Sequence, residues 1–207
     1  MSESATALYI PASLPNLAEY ISYAKPKQLA KTKTAGEMDP MKVVQLLKNS
    51  EQISDDVVLM MDEMYLAKSV QYHGGRWYGA NEKHELFKGI IVMMIQGLKS
   101  SLPFVIKVIP EVHLKGDWLC DELSKSISML CQVGFSVRAI VTDNHSTNVS
   151  AFSQLISKFG TGSDLFIKHP SCKTKTYLFF DNVHLVKNIR NNLLAAKQFT
   201  SPPSVLR

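Results

Sequence analysis

In residues 57–64 the chain reads VVLMMDEM, and in residues 137–144 it reads VRAIVTDN. Each run is apolar enough to form a buried strand, and each reaches an aspartate, Asp62 or Asp143, at or near its end. A carboxylate beside a buried strand is costly unless something compensates its charge, and two of them on neighbouring strands could bind a divalent cation. The alternative is that each aspartate simply ends its strand, since aspartate is common in turns.

Composition places the chain among globular proteins with one main domain. It has 207 residues, of which 45% are hydrophobic and 20% charged, so a sizeable core is expected. The apolar run Ile90–Ile95 is too short to cross a bilayer, and Met1–Ala7 does not have the pattern of a signal peptide. The odd number and wide spacing of Cys120, Cys131 and Cys172 predict reduced thiols in an intracellular protein.

Positive charge is concentrated towards the C-terminus. The net charge is +5, residues 158–207 are strongly basic, and residues 51–157 are slightly acidic. This distribution suits contacts with a polyanion such as DNA, and it suits an ordinary solvated surface equally well.

Hydrophobic periodicity predicts three strands followed by alternating helices and strands. Residues 76–78 could add a short strand after a turn at 73–75, and residues 160–171 are predicted as a loop. The predicted strands are 57–72, 86–98, 102–112, 135–142 and 176–180. The predicted helices are 40–49, 118–133 (with Asp117 as N-cap and Gly134 as stop), a helix ending at Phe159, and 182–197.

This order predicts an α/β fold, with a mixed five-stranded sheet flanked by helices in the ribonuclease-H-like arrangement. The first and fourth strands would then be neighbours, which would bring Asp62 beside Asp143. Residues 1–50 are predicted to be an N-terminal arm with a short helix, and residues 51–200 the ribonuclease-H-like domain.

Three strings extend the argument: MMDEM at 60–64, VTDNHSTN at 141–148 and FFDNVHLVKNIRNN at 179–192. Together they resemble the ribonuclease-H-like catalytic domain of P-element-type DNA transposases, including the THAP-domain-containing relatives. The resemblance covers about residues 56–197. It implies a nuclear enzyme that cleaves and joins DNA with two Mg²⁺ ions (Mn²⁺ as substitute) held by two aspartates and one glutamate. Asp62 and Asp143 match the two aspartates, as catalytic residues and metal ligands.

The chain departs from that family pattern at both ends. It shows neither the zinc-binding THAP module nor the oligomerising helix that precede the catalytic domain in the family. The third acidic residue, a glutamate, and the inserted domain before it would lie beyond residue 207. We therefore expect a fragment that is inactive alone, and any oligomer would form through segments absent here. The alternative is a non-catalytic, domesticated module that binds nucleic acid or protein.

Two further residues lie close to the aspartates in sequence. Asn148 is a candidate to contact phosphate, while Ser146 or Thr147 is predicted to cap the following helix. Glu63 should point to the strand face opposite Asp62, which predicts a surface residue or the partner of a lysine.

Candidate residues also surround the last predicted helix. Asp181 and His184 could support the metal site or contact substrate, or Asp181 could be an ordinary helix N-cap. Lys187 and Arg190 are three residues apart on one helical face, where they could bind a phosphate or simply be solvated.

Overall fold

The computed structural model describes residues 39–195, apart from 51–52, 67–68, 74–75, 82–83, 101, 161–164 and 173. The predictions for residues 1–38 and 196–207 lie outside this range. In chain order the elements are α1 (Pro40–Asn49), β1 (Asp56–Tyr65), β2 (Gln71–His73), β3 (Arg76–Tyr78), β4 (Gly89–Gly97), β5 (Pro103–Glu111), α2 (Gly116–Val133), β6 (Ser136–Thr142), α3 (Ser146–Phe159), β7 (Phe166–Ile167), β8 (Thr176–Phe180) and α4 (Asn182–Leu194).

The main sheet has the strand order β5-β4-β1-β6-β8-β7. Strands β1 and β6 are parallel neighbours, and so are β6 and β8, while the remaining pairs are antiparallel. The α/β class and the pairing of the first and fourth predicted strands are therefore confirmed. The predicted number of strands is wrong, because β7 adds a sixth strand inside the segment predicted as a loop. Two residues are too few to show an alternating pattern.

The predicted strand 57–72 is in fact two elements. Strand β1 ends at Tyr65, and β2 pairs with β3 in a separate two-stranded ribbon. Both segments satisfy the strand pattern, so only their different pairing partners reveal the break.

Helix α2 also begins differently from the prediction. It starts at Gly116, and Lys115 is the N-cap, without a side-chain hydrogen bond. Asp117 lies within the first turn, where its Oδ1 accepts a hydrogen bond from the Trp118 N–H (2.9 Å). The predicted stop is confirmed, since Gly134 has a φ of +96°, which suits a residue without a Cβ.

The core lies between the sheet and the packed helices α2 and α3. Alternate residues of β1 are buried on the core side, and one face of each helix meets them. Burying each large side chain contributes about 1.5–3 kcal/mol. The largest of these fully buried side chains include Leu59, Ile91, Leu123, Ile140 and Leu155.

Helix α1 packs on this core. Its Val44 and Leu47 are buried, and Asp39 caps it by accepting a hydrogen bond from the Met41 N–H (3.0 Å). Lys48 joins its last turn to the domain, because the Nζ donates to Asp55 Oδ1 (2.5 Å) and to the Gly134 carbonyl oxygen (2.9 Å). The helix predicted as part of an arm is thus attached to the domain.

Cys131 and Cys172 form a disulfide between the end of α2 and the loop before β8, with their Cα atoms 5.6 Å apart. The prediction of reduced thiols is therefore wrong for these two residues. Only Cys120 is free among the cysteines, and it is buried. The two cysteines are 41 residues apart in sequence, so nothing in the local sequence indicated that they pair.

Helix α4 contributes no buried residue to the fold. Its apolar side chains Val183, Val186, Ile189 and Leu193 are all more than half exposed. Among the described residues, no helix is long and apolar enough to span a membrane.

Because His169 is buried as a hydrogen-bonded ring, we expect the protein to lose stability in mild acid. Its Nδ1 accepts a hydrogen bond from the Ser171 N–H (3.3 Å), which leaves the Nε2 proton to be donated to Ser124 Oγ (2.8 Å). Burial lowers the pKa of His169. The stabilisation by the neutral ring is therefore fully present above the unfolded-state pKa and lost as the pH falls through the folded-state pKa.

We expect the urea midpoint of the wild type to fall between about pH 7.5 and about pH 5.5 more than that of His169→Gln. Glutamine keeps an acceptor and a donor but does not titrate. Equal pH dependence of the two proteins would contradict the assignment.

Candidate metal centre

Strands β1 and β6 bring the two aspartates to the same end of the sheet. The last residues paired between them are Met60 and Val141. Asp62 and Asp143 each lie two residues beyond that pair, in the same register. Asp62 therefore lies in β1 and Asp143 directly after β6, at the same end of the sheet. The two residues that the sequence singled out thus lie at the same end of two adjacent parallel strands.

Asp143 is held in place by the start of α3. Its Oδ1 accepts hydrogen bonds from the His145 N–H (2.9 Å) and from Asn148 Nδ2 (2.5 Å). Among the described residues, its Oδ2 accepts none. A carboxylate with one oxygen fixed by donors and the other free is well suited to bind a cation.

Asn148 is one of the buried polar residues of the chain, at 4% exposure. Its Oδ1 is buried and has no hydrogen-bond partner within the described part of the chain. In this structure Asn148 therefore orients Asp143, and its contact with phosphate remains a prediction. The prediction that Ser146 or Thr147 caps α3 is wrong, because His145 is the N-cap and makes no side-chain cap hydrogen bond.

Asp62 is exposed, and its Oδ1 accepts a hydrogen bond from the Glu63 N–H (2.9 Å). Its Oδ2 likewise has no partner among the residues that the structure describes. The preceding residue, Met61, is buried in the core, so Asp62 faces away from the core while its strand remains anchored.

The sequence predicted that Glu63 would be a surface residue or the partner of a lysine, and the structure differs from this. It lies on the strand face opposite Asp62, as expected, but it is partly buried. No ion pair in the described part of the chain includes it. The pKa of Glu63 is raised, first by burial and then by the nearby carboxylate of Glu111, with smaller contributions from Asp143 and Asp62 that His145 partly offsets.

The start of α4 lies next to the end of β6, because the Asp181 N–H donates to the Thr142 carbonyl oxygen (2.8 Å). The Asp181 side chain is the helix N-cap, accepting from the Val183 N–H (2.9 Å), so the capping alternative is confirmed. His184 Nε2 lies 3.8 Å from Asp181 Oδ2.

Lys187 and Arg190 are exposed on α4, and neither takes part in an ion pair among the described residues. Their predicted contact with a phosphate is compatible with this exposure.

The donor set fits part of a divalent-metal site. Asp62 and Asp143 each have one carboxylate oxygen without a partner among the described residues, and such oxygens are hard ligands of the kind that Mg²⁺ and Mn²⁺ bind. The described residues contain no group of three or more His, Cys, Asp and Glu side chains that could hold a metal ion.

Comparison with known proteins gives an independent indication of the family. Residues 41–156, more than half of the chain, match the family model of the TNP-like, RNase H N-terminal domain. No curated protein matches the chain.

A solved structure described as the Drosophila P element transposase strand transfer complex has a similar fold, with a TM-score of 0.55 and 21% sequence identity. The similarity covers 92% of this chain and 46% of the transposase chain, so this chain spans less than half the length of that relative. The family match over more than half of the chain shows that this chain belongs to the family of the TNP-like, RNase H N-terminal domain, in agreement with its resemblance to P-element-type transposases.

Proposed function

We propose that this chain is the part of a P-element-like DDE/D DNA transposase that supplies the first two metal-binding carboxylates, and that it acts on DNA in the nucleus. The observation that carries the proposal is the parallel pairing of β1 and β6. This pairing supports the proposal because Asp62 and Asp143 lie at the same end of adjacent strands, and each has one carboxylate oxygen without a hydrogen-bond partner among the described residues.

In this proposal Asp62 is the shared ligand of two Mg²⁺ ions and Asp143 binds one of them. When bound, such a pair of ions stabilises charge on the attacking and leaving oxygens of a phosphodiester. Asn148 and the His145 N–H hold Asp143 in one orientation, so that little conformational freedom is lost on binding. Lys187 and Arg190 extend the site towards the DNA backbone as phosphate contacts.

The two carboxylates alone do not complete the three-carboxylate set that the resemblance implies. We therefore expect binding of Mg²⁺ and DNA by the isolated chain, and little or no cleavage unless another segment supplies the third ligand. The competing function is a non-catalytic interaction module. It is favoured by the exposed apolar side chains of α4 and by the absence of a three-ligand cluster among the described residues.

A DNA-binding measurement separates the two functions. For the wild-type chain, we expect Mn²⁺ in place of EDTA to raise the affinity for labelled duplex DNA about fivefold, which corresponds to about 1 kcal/mol. Asp62→Asn should remove most of this gain, because the cation would link its carboxylate to a phosphate oxygen. Fluorescence anisotropy at constant ionic strength measures both.

The matched control is Asp117→Asn. Like Asp62, Asp117 is an acidic residue whose Oδ1 accepts a hydrogen bond from the next N–H, but it lies in the first turn of α2. This variant should behave as the wild type. DNA binding that is indifferent to both Mn²⁺ and Asp62→Asn would favour the non-catalytic module.

A further inference from the structure

A second pair of carboxylates meets beside Gly89, on the face of the sheet opposite Asp62. The register pairs Gly89 with Tyr65 of β1 and with Glu111 of β5. Glu63 is two residues from Tyr65, so its side chain and that of Glu111 share one face across the intervening strand β4.

Glycine at position 89 allows these groups to converge. A Cβ atom there would lie 3.0 Å from the Met64 carbonyl oxygen, 3.2 Å from Glu111 Oε1 and 3.5 Å from Glu63 Oε1. Three oxygen atoms from two different strands therefore surround the space that a side chain would otherwise fill.

Glu111 has no visible compensation for its charge. It is only 9% exposed, and its Oε2 is buried without a hydrogen-bond partner among the described residues. The nearby Lys88 donates its backbone N–H to the Glu111 carbonyl oxygen, but its Nζ lies 3.1 Å from His113 Nδ1. No ion pair in the described ranges includes Glu63 or Glu111.

An unpaired buried carboxylate costs several kcal/mol, and a second carboxylate beside it increases the cost. A bound cation removes this penalty.

We propose that Glu63, Glu111 and the Met64 carbonyl oxygen bind a hard divalent cation of the Ca²⁺ type. Ca²⁺ accepts carboxylate and backbone carbonyl oxygens in flexible geometry and completes its shell with water, whereas Mg²⁺ requires near-octahedral geometry and loses water reluctantly. The cation neutralises both carboxylates and ties β1 to β5 across β4. This site uses other ligands than the one formed by Asp62 and Asp143, and its role is structural.

The test is thermal unfolding of the full chain in EDTA and in Ca²⁺. At a Ca²⁺ concentration about tenfold above Kd, the wild-type Tm should rise by about 3–6 °C. Glu111→Gln, which keeps the side-chain shape, should lose this shift. Asp39→Asn should keep it, because Asp39 caps α1 and is not a ligand at either proposed site. Calorimetry with Ca²⁺ should show one binding site fewer in Glu111→Gln than in the wild type.

Two outcomes would overturn the proposal. One is a Ca²⁺ shift in Glu111→Gln equal to that of the wild type. The other is a wild type whose Tm does not respond to Ca²⁺. If Glu111→Gln does not fold, as judged by circular dichroism, Glu63→Gln takes its place with the same expectation. Failure of this site would leave the function proposed for Asp62 and Asp143 untouched.

Discussion

Replacing Asp143 by asparagine is expected to weaken Mn²⁺ binding at the paired aspartates by a factor of about 10–100. This is the usual loss of metal affinity when a residue that supports a metal site is mutated. Asparagine can still accept the hydrogen bond from the His145 N–H, so the start of α3 should be preserved. What is lost is a charged oxygen ligand, and the neutral amide that replaces it is a far weaker ligand for a hard cation. Calorimetric titration of the full chain with Mn²⁺ measures the change.

The titration must distinguish Mn²⁺ binding at this site from Mn²⁺ binding at the site proposed beside Gly89. Titrations in the Glu111→Gln background remove the second site and leave Asp143 as the variable. The matched control is Asp39→Asn, because Asp39 also accepts a hydrogen bond from the N–H two residues later, but at the start of α1. An Asp143→Asn variant that binds Mn²⁺ as tightly as the control would show that the paired aspartates do not form a metal site in this chain.

Removing the disulfide with Cys131→Ser should reduce the free energy of unfolding by about 3–4 kcal/mol on the chain-entropy estimate for a loop of this length. The link closes a sequence separation of 41 residues that includes β6 and α3, and hence Asp143 and Asn148. Without it, the unfolded chain gains conformational freedom while the folded contacts are largely retained. Urea denaturation of the variant and of the wild type with and without reductant measures the difference.

The control is Cys120→Ala, which removes the buried free thiol and should cost only about 1 kcal/mol. Reductant should destabilise this control as much as it destabilises the wild type, and it should leave Cys131→Ser unchanged. A wild-type urea midpoint that is insensitive to reductant would contradict the prediction. Since nuclear thiols are normally reduced, a stability that depends on this link would also be a constraint on where the protein works.

The elements that carry the candidate site were predictable from sequence, because their signals are local. Helix 40–49 and strand 176–180 were predicted to the residue, and the apolar runs before Asp62 and Asp143 gave the start of β1 and both ends of β6 to within one residue. Alternation and helical spacing depend only on which neighbours share a face. The order of elements then restricted the sheet to few topologies, of which one places the two aspartates together.

Other features depend on which strands pair and in what register, and no local pattern encodes that choice. The break after Tyr65 and the two-residue strand β7 appear only once the pairing partners are known. The same holds for the meeting of Cys131 with Cys172, since the bond needs two distant segments to come within reach.

The environment of each carboxylate was also decided by tertiary structure. The sequence identified Asp62 and Asp143 as candidates, but not that Asn148 and the His145 N–H fix one oxygen of Asp143. Nor did it indicate Glu111, which lies 48 residues from Glu63 and reaches it only through the register of β1, β4 and β5 at Gly89. By itself the sequence determined which residues can form strands, helices and metal ligands. Long-range pairing decided which of them meet, because burial and charge compensation depend on neighbours that are remote in the chain.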